Sequence, residues 1–314
     1  MTALPPEIPG TVLTVGTFDG VHLGHRDVLE RLAASARRAG LKSVLVTFDP
    51  HPLEVVNPSA APPLLTVGDE KLEALATCPV DYVVVLPFTP TLATYSAEQF
   101  VDDVLIRRTR MRELLIGHDH GFGRNRGGNV DVLRTLAASR GFTLNVIDPV
   151  GTDDRHPYSS TAIRRAIAGG DLHRAEQALG RRYSVSGVVE AGAGRGRTLG
   201  FRTINLAAQS PRKLLPPGGV YAVRVQTPQG VYGGMMNLGP RPTFDDSTPR
   251  LEAHLFDANL DLYGARVRID LVQRLRETRK FSSPAELTEQ LSRDDAAARK
   301  ALADTPTGIG SSPR

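Results

Sequence analysis

Apolar positions in the first part of the chain follow two alternating periods. Residues 12–15 form a short apolar run that reads as a strand, followed by a turn-rich stretch from Gly16 to Gly20. Val28, Leu29, Leu32 and Ala36 then recur at helical spacing, which predicts a helix from about 22 to 38, stopping before Gly40. A second strand at 43–48 ends at Asp49-Pro50-His51-Pro52, where two prolines forbid continuation. Residues 80–86, 113–117 and 143–146 read as further strands, with helices near 69–76, 97–107 and 133–139. Such alternation predicts an α/β, Rossmann-like domain: a parallel sheet covered on both faces, with ligands at the carboxyl ends of its strands.

The pattern changes near residue 182. Helical stretches at 160–168 and 172–179 close at Gly180, and short alternating runs follow at 183–190, 220–226, 231–236, 251–256 and 265–272. Short strands separated by Gly and Pro predict an antiparallel barrel or sandwich. A last helix fits 284–291, with helical character resuming through Ala301, and the residues from 305 have little to bury. The expected organisation is a first domain over 1–182, a second over 183–303 and a disordered tail over 304–314.

Composition narrows the class. A chain of 314 residues, 40% hydrophobic and 23% charged, suits two domains and excludes a fibrous or wholly disordered protein. The single cysteine, Cys78, excludes an intramolecular disulfide and a cysteine-based zinc site. No uncharged apolar run approaches the roughly 18 residues of a membrane span. The opening residues have neither a basic nor an apolar leader region, so a reducing, cytoplasmic compartment is expected. Net charge is +4, and lysine occurs only at 42, 71, 213, 280 and 300, so arginine dominates the 38 basic residues. Arginine suits two-pronged phosphate recognition, although a general compositional bias toward arginine is the plainer reading. With no tryptophan, 5% aromatics and no basic stripe interleaved with stacking residues, the expected partner is a small phosphorylated molecule rather than nucleic acid.

The densest local signal is Gly16-Thr-Phe-Asp-Gly-Val-His-Leu-Gly-His25, a strand running through a glycine-rich turn into a helix. His22 and His25 stand three apart and share a helix face. Helix-start amides favour an anion there, and Gly24 lets a phosphate near the backbone. This suits nucleotidyl transfer, in which a phosphate attacks the α-phosphorus of ATP and pyrophosphate leaves. That reaction needs positioning and charge neutralisation more than a protein nucleophile. Tyr158-Ser-Ser-Thr-Ala-Ile-Arg164 places hydroxyls at a helix start and an arginine soon after, either as a simple cap or as a grip on a triphosphate. Thr47-Phe-Asp-Pro-His-Pro52 and the glycine-rich loop 117–128 each follow a strand. No spacing among these histidines matches a closed metal site.

In the second half, Gly196-Arg-Thr-Leu-Gly-Phe-Arg-Thr-Ile-Asn-Leu206 is glycine-rich and basic, and extended backbone would turn Thr203 and Asn205 to one side. Their oxygens suit either a plain polar loop or magnesium shared with nucleotide phosphates. Glu252 alternates with Leu251, Ala253 and Leu255, so it is either on a wet face or a base for a substrate hydroxyl.

Taken in order, Gly-Thr-Phe-Asp-Gly-Val-His-x-Gly-His, Thr-Phe-Asp-Pro-His-Pro, Gly-x-Asp-x-x-Phe-Gly and Ser-Ser-Thr-x-Ile-Arg resemble the bacterial bifunctional riboflavin kinase/FAD synthetases. The segments around Gly196–Leu206, Pro217–Ala222, Met236–Phe244, Leu251–Asp257 and Leu275–Phe281 extend the resemblance through the second half. The resemblance implies a nucleotidyltransferase-type first domain that transfers AMP from ATP to FMN, making FAD. It implies a barrel with a C-terminal helix that phosphorylates riboflavin, with magnesium as the ion of both steps. By that likeness His22, His25 and Arg164 serve adenylyl transfer. Gly16, Phe18, Asp19, Gly24, Ser159, Ser160 and Thr161 hold ATP, and His51, Asp119, Phe122 and Gly123 lie by the flavin. In the barrel the likeness makes Glu252 the kinase base. It assigns Gly196, Arg197, Gly200, Thr203 and Asn205 to Mg-ATP, and Asn237 and Arg276 to the flavin. Two positions depart from the pattern: His120, where the family often has phenylalanine, and Arg202, where its Pro-Thr-x-Asn motif begins with proline. The rival expectations are an adenylyltransferase whose barrel only binds flavin, and a basic nucleic-acid-binding module.

Overall fold

The computed structural model describes residues 4–117, 121–124, 127–148, 158–190, 201–206, 210–240 and 249–305. Two compact units account for the chain, one of residues 1–63 and 71–160 and the other of 64–70 and 161–314.

In the first unit, five parallel strands run β1 (Thr11–Val15), β2 (Lys42–Asp49), β3 (Tyr82–Pro87), β4 (Met111–Gly117) and β5 (Thr143–Ile147), in spatial order β3-β2-β1-β4-β5. β2 is buried at every position from Ser43 to Phe48, as a strand covered on both faces must be. Helix α1 (Leu23–Ala39) covers the sheet through Leu29, Leu32, Ala33 and Ala36. It ends at Gly40, whose φ of 64° lets its N–H reach the carbonyls of Ala36 and Arg37. The strand order reverses between β1 and β4, which opens a crevice at their carboxyl ends.

Several local features differ from the sequence reading. The proline that stops β2 opens a short helix, α2 (Pro52–Val56), because a missing N–H costs nothing at a first helical position. α3 (Asp69–Ala76) is as expected, and α4 (Pro90–Ala93) repeats the proline start. The single helix expected at 97–107 is instead α5 (Ala97–Gln99), a wider π-helical run at Phe100–Ile106 and α6 (Arg107–Thr109). The wider turn lets Phe100, Val101, Val104 and Leu105 all enter one core. α7 (Val130–Arg140) precedes β5.

The second unit is a closed barrel of β6 (Ser184–Glu190), β7 (Thr203–Leu206), β8 (Gly219–Thr227), β9 (Gly230–Pro240), β10 (Pro249–Leu255) and β11 (Arg266–Arg276), ordered β10-β7-β6-β11-β8-β9. α8 (Ser160–Ala168) and α9 (Leu172–Leu179) bury Ile163, Ile167, Leu172, Ala175 and Leu179 in the same core as Val185, Tyr221 and Ile269. That shared core explains why the contact division falls at residue 160 rather than at the change of sequence pattern near 182. The last helix, α10 (Pro284–Ala303), is continuous, and it packs Ala298, Ala301 and Leu302 against Ala222, Met235 and Phe256. Arg224 donates to the carbonyls of Leu302 and Thr305, so the chain is held one residue beyond the expected start of the tail at 304. The tail from 306 onward lies outside the described residues.

Residues 64–70 join this unit through buried charge. Leu64 exchanges backbone hydrogen bonds with Arg212 and Leu214, and Leu65 is fully buried in the barrel core. The Lys213 ammonium donates to Glu70 at 2.7 Å and to the carbonyls of Leu65 and Ser184 at 2.8 Å each. Glu70 also accepts from the Ser186 amide, and the two charged side chains are only 1% and 6% exposed. Removing one partner of such a pair leaves an uncompensated buried charge. Glu70→Ala should therefore destabilise the second unit by about 3–5 kcal/mol in denaturant unfolding. Pairing Glu70→Leu with Lys213→Met should recover most of that loss.

Candidate active sites

The first site begins where β1 ends. The Gly16 amide donates to the Val46 carbonyl, and the Thr47 hydroxyl donates to the Thr17 carbonyl, tying the turn to β2. Phe18, Gly20 and Val21 all have positive φ, at 47°, 83° and 42°. A β-branched valine there is costly, and such backbone persists only where its surroundings over-determine it. A Cβ on Gly16 would stand 2.9 Å from the Phe18 ring, so the tight turn requires glycine.

The two histidines have different geometries. His22 is the N-cap of α1: its Nδ1 accepts from the His25 amide at 3.2 Å, and the residue is 5% exposed. Its ring stacks on that of His25 with centroids 3.6 Å apart. A Cβ on Gly24 would lie 3.3 Å from the His22 ring, so that glycine serves this packing as well as any ligand. His25 lines a cleft of about 880 Å³, together with Gly16, Phe18 and Gly117 at the carboxyl ends of β1 and β4. The sequence reading turned both imidazoles toward one ligand; here His22 backs His25, and His25 faces the cleft. Asp19 is buried at 3% exposure, and its carbonyl accepts from the Ser160 hydroxyl at 2.9 Å. Ser159 precedes α8, Thr161 is exposed in its first turn, and Arg164 follows one turn after Ser160.

The other wall of the cleft is aromatic. Phe48, Phe88, Phe100 and Phe122 line it, with the Phe100 and Phe122 rings 5.1 Å apart. His51 caps α2 by accepting from the Leu53 amide, while Glu54 accepts from the His51 amide, and the His51 ring also borders the cleft. Gly123 lines it with a φ of 77°. Asp119, His120, Gly196, Arg197 and Gly200 lie outside the described residues.

The second site follows from strand register. Asn205 on β7 pairs with Glu252 on β10, Glu252 with Asn237 on β9, Asn237 with Val220 on β8, and Val220 with Arg276 on β11. Directly opposed residues share a sheet face, so one lateral row carries Asn205, Glu252, Asn237 and Arg276. Their neighbours Leu206, Leu251, Ala253 and Leu238 belong to the barrel core, which turns the polar row the other way. Thr203 pairs with His254 one step further along the same face. A cavity of about 650 Å³ is lined there by Thr203, Asn237, Glu252 and Arg276 with Phe281 and Asp294.

Polar groups of this row are unevenly satisfied. Asn205 is 9% exposed, and its Oδ1 has no hydrogen-bond partner among the described residues. Glu252 accepts from the Arg250 guanidinium at 3.1 Å. Arg276 grips Asp294 of α10 with two nitrogens, at 2.9 and 2.6 Å, so its charge is already committed within the cavity wall. Arg202, where proline was expected, donates to Asn259 at 2.7 Å, and its carbonyl contacts His254 Nδ1 at 2.8 Å. Two anchors thus hold the entry to β7 without a proline ring.

Sequence reasoning missed Asp294, His254 and Phe281 as cavity residues. Only the pairing with β7 places His254 beside Thr203, and nothing in the local pattern of α10 marks Asp294 as the partner of Arg276. The strand β7 itself was legible only as a polar, extended stretch.

Comparison with known proteins divides the chain in two. The FAD synthetase family model matches residues 4–162, and the riboflavin kinase model matches 179–302. The bifunctional riboflavin kinase/FMN adenylyltransferase of Escherichia coli strain K12 is 38% identical over 292 residues, covering 93% of this chain and 92% of that protein. The protein of the same description from Pseudomonas fluorescens is 38% identical over 297 residues, covering 94% of each. A crystal structure described as a macrolide-efflux protein from Streptococcus pneumoniae is 30% identical, covers 95% of each chain and superposes with a TM-score of 0.82. Among the described residues no helix is long and apolar enough to cross a membrane.

Proposed function

The chain belongs to the family of bifunctional riboflavin kinase/FMN adenylyltransferases, and we propose that its barrel performs the kinase step and its α/β unit the adenylyl step, through the residues described above. The protein is a transferase that phosphorylates riboflavin with ATP to give FMN, and adenylylates FMN with a second ATP to give FAD and pyrophosphate. ATP is the co-substrate of both steps, so we place the enzyme in the cytoplasm. Its partners in this reading are ATP, riboflavin and FMN, with neither nucleic acid nor membrane required.

The observation that carries the kinase assignment is the row Asn205–Glu252–Asn237, with a buried amide oxygen in it that has no partner among the described residues. In our reading the ribityl hydroxyl attacks the γ-phosphorus of ATP, ADP leaves, and Glu252 takes the hydroxyl proton. The orphaned Asn205 Oδ1 and the Thr203 hydroxyl are hard oxygen donors suited to a nucleotide-bound magnesium ion. When bound, that ion would neutralise phosphate charge. Asn237 and the aromatic and aliphatic wall from Phe281 to Leu291 would hold the flavin. Arg276, locked to Asp294, shapes that wall.

In the adenylyl step a phosphate oxygen of FMN attacks the α-phosphorus of ATP, and pyrophosphate leaves without a protein nucleophile. His25 and the amides at the start of α1 would stabilise charge on the transferring phosphoryl group, with His22 holding His25 in place. The hydroxyls of Ser159 and Ser160 would steady the triphosphate. The flavin would lie against Phe122, Gly123 and His51.

Incubation with riboflavin and Mg-ATP, followed by chromatographic separation of FMN and FAD, tests both halves. Glu252→Gln should cut FMN formation by roughly 10²-fold or more while FAD synthesis from supplied FMN continues. His25→Ala should do the reverse. A parent protein that forms no FMN would leave an adenylyltransferase with a flavin-binding barrel. Arg202→Pro retains the carbonyl that His254 contacts, so kinase activity should stay within about threefold of the parent, a barrier change under about 1 kcal/mol.

A further inference from the structure

β7 is four residues long and carries both donors assigned above to nucleotide-bound magnesium, Thr203 and Asn205. Its pairing is uneven. β10 opposes all four residues, but among the described residues β6 opposes only Asn205 and Leu206, through Glu190 and Val189. Thr203 and Ile204 are therefore held from one side. A strand end with a single ladder is where local opening starts.

His254 adds a hold at that end. It stands opposite Thr203 on β10, and its Nδ1 lies 2.8 Å from the carbonyl oxygen of Arg202, the residue before Thr203. A carbonyl oxygen only accepts, so Nδ1 carries the proton and donates. The imidazole meets the Phe201 ring edge-on at 5.2 Å between centroids, and the Phe256 ring edge-on at 5.9 Å. Phe256 is buried against Ala298, Ala301 and Leu302 of α10, and the Arg299 guanidinium sits 4.2 Å from its centroid. The His254 ring is thus braced from the helix side, and it lines the same cavity as Thr203 and Glu252.

We propose that His254 is a positioning residue for the kinase step: through the Arg202 carbonyl it fixes the one-sided end of β7, and with it the direction in which Thr203 presents its hydroxyl to Mg-ATP. This rests on the assignment of Mg-ATP to β7. His254 touches neither substrate in this account and acts through the main chain. Position 202 supplies only a carbonyl, which any residue carries, whereas position 254 needs an N–H one bond beyond Cγ.

The test uses the full-length protein, with FMN formation measured alongside amide hydrogen exchange of the ligand-free protein over residues 201–206, 230–240 and 249–255. His254→Phe keeps a ring against Phe201 and Phe256 but cannot donate. His254→Asn loses the ring and keeps an N–H at the place of Nδ1. In His254→Phe the 201–206 amides should exchange about tenfold faster, and the KM for Mg-ATP in FMN formation should rise about tenfold, the upper worth of one hydrogen bond. Exchange over 230–240 and 249–255, the KM for riboflavin and FAD synthesis from FMN should be unchanged. His254→Asn should bring both the exchange and the KM for Mg-ATP to within about threefold of the parent. An unchanged KM in His254→Phe, an Asn variant as impaired as the Phe variant, or protection lost throughout the barrel would each overturn the proposal. Thr203→Val measured in parallel separates the two claims. If it raises the KM for Mg-ATP while the His254 variants do nothing, only the role of His254 fails. If neither matters, the assignment of Mg-ATP to β7 fails with it.

Discussion

Hydrogen-bond register between β7, β10 and β9 is the constraint on which the barrel's polar row depends. It brings Asn205, Glu252 and Asn237 into one row although they are far apart in sequence, and the same pairings send Leu206, Leu251 and Leu238 into the core. A slip of one residue would exchange the two sets, putting leucines in the cavity and a glutamate in the apolar interior. The apolar core thus enforces the register that aligns the polar row. Arg202 fits this view. With Asn259 and His254 holding its two ends, β7 enters the ladder at the right residue without the conformational restriction that proline would supply.

In the α/β unit the corresponding constraint is the turn after β1. Positive φ at Phe18 and Val21 is unfavourable in isolation, and it is held by hydrogen bonds to β2, by the Phe18 packing that excludes any side chain at position 16, and by Ser160 on the Asp19 carbonyl. The turn delivers the chain into α1 with His22 already engaged as a cap. His25 is then oriented by a stacked ring and faces the crevice where the strand order reverses. His22, which the sequence places beside His25 as an equal, is the helix cap and stacks on the His25 ring.

Much of the fold was legible because local periodicity and punctuation agree with the tertiary environment. α1, α3, α8 and α9 fall close to their expected limits, and the strands other than β7 fall where alternating or continuous apolar runs stand. The failures share a cause: they depend on contacts between distant residues. Nothing local marks the π-helical turn at Phe100–Ile106, which serves a core that four apolar residues must enter together. Glu70 and Lys213 are 143 positions apart, so their buried pairing, and with it the transfer of residues 64–70 to the barrel unit, has no local signature. Asp294 was invisible for the same reason, since its meaning lies in Arg276. The motif residues were found because their spacing is short. Their division into supporting and facing groups needed the structure.

The central claim is that two separate sites perform consecutive reactions linked by free FMN. Mixing the Glu252→Gln and His25→Ala proteins with riboflavin and Mg-ATP tests it most directly. Neither variant alone should make FAD from riboflavin. The mixture should accumulate FMN first and then FAD after a lag, as each protein supplies the step the other lacks. FAD formation from riboflavin by the His25→Ala protein alone, or its absence from the mixture, would contradict the account.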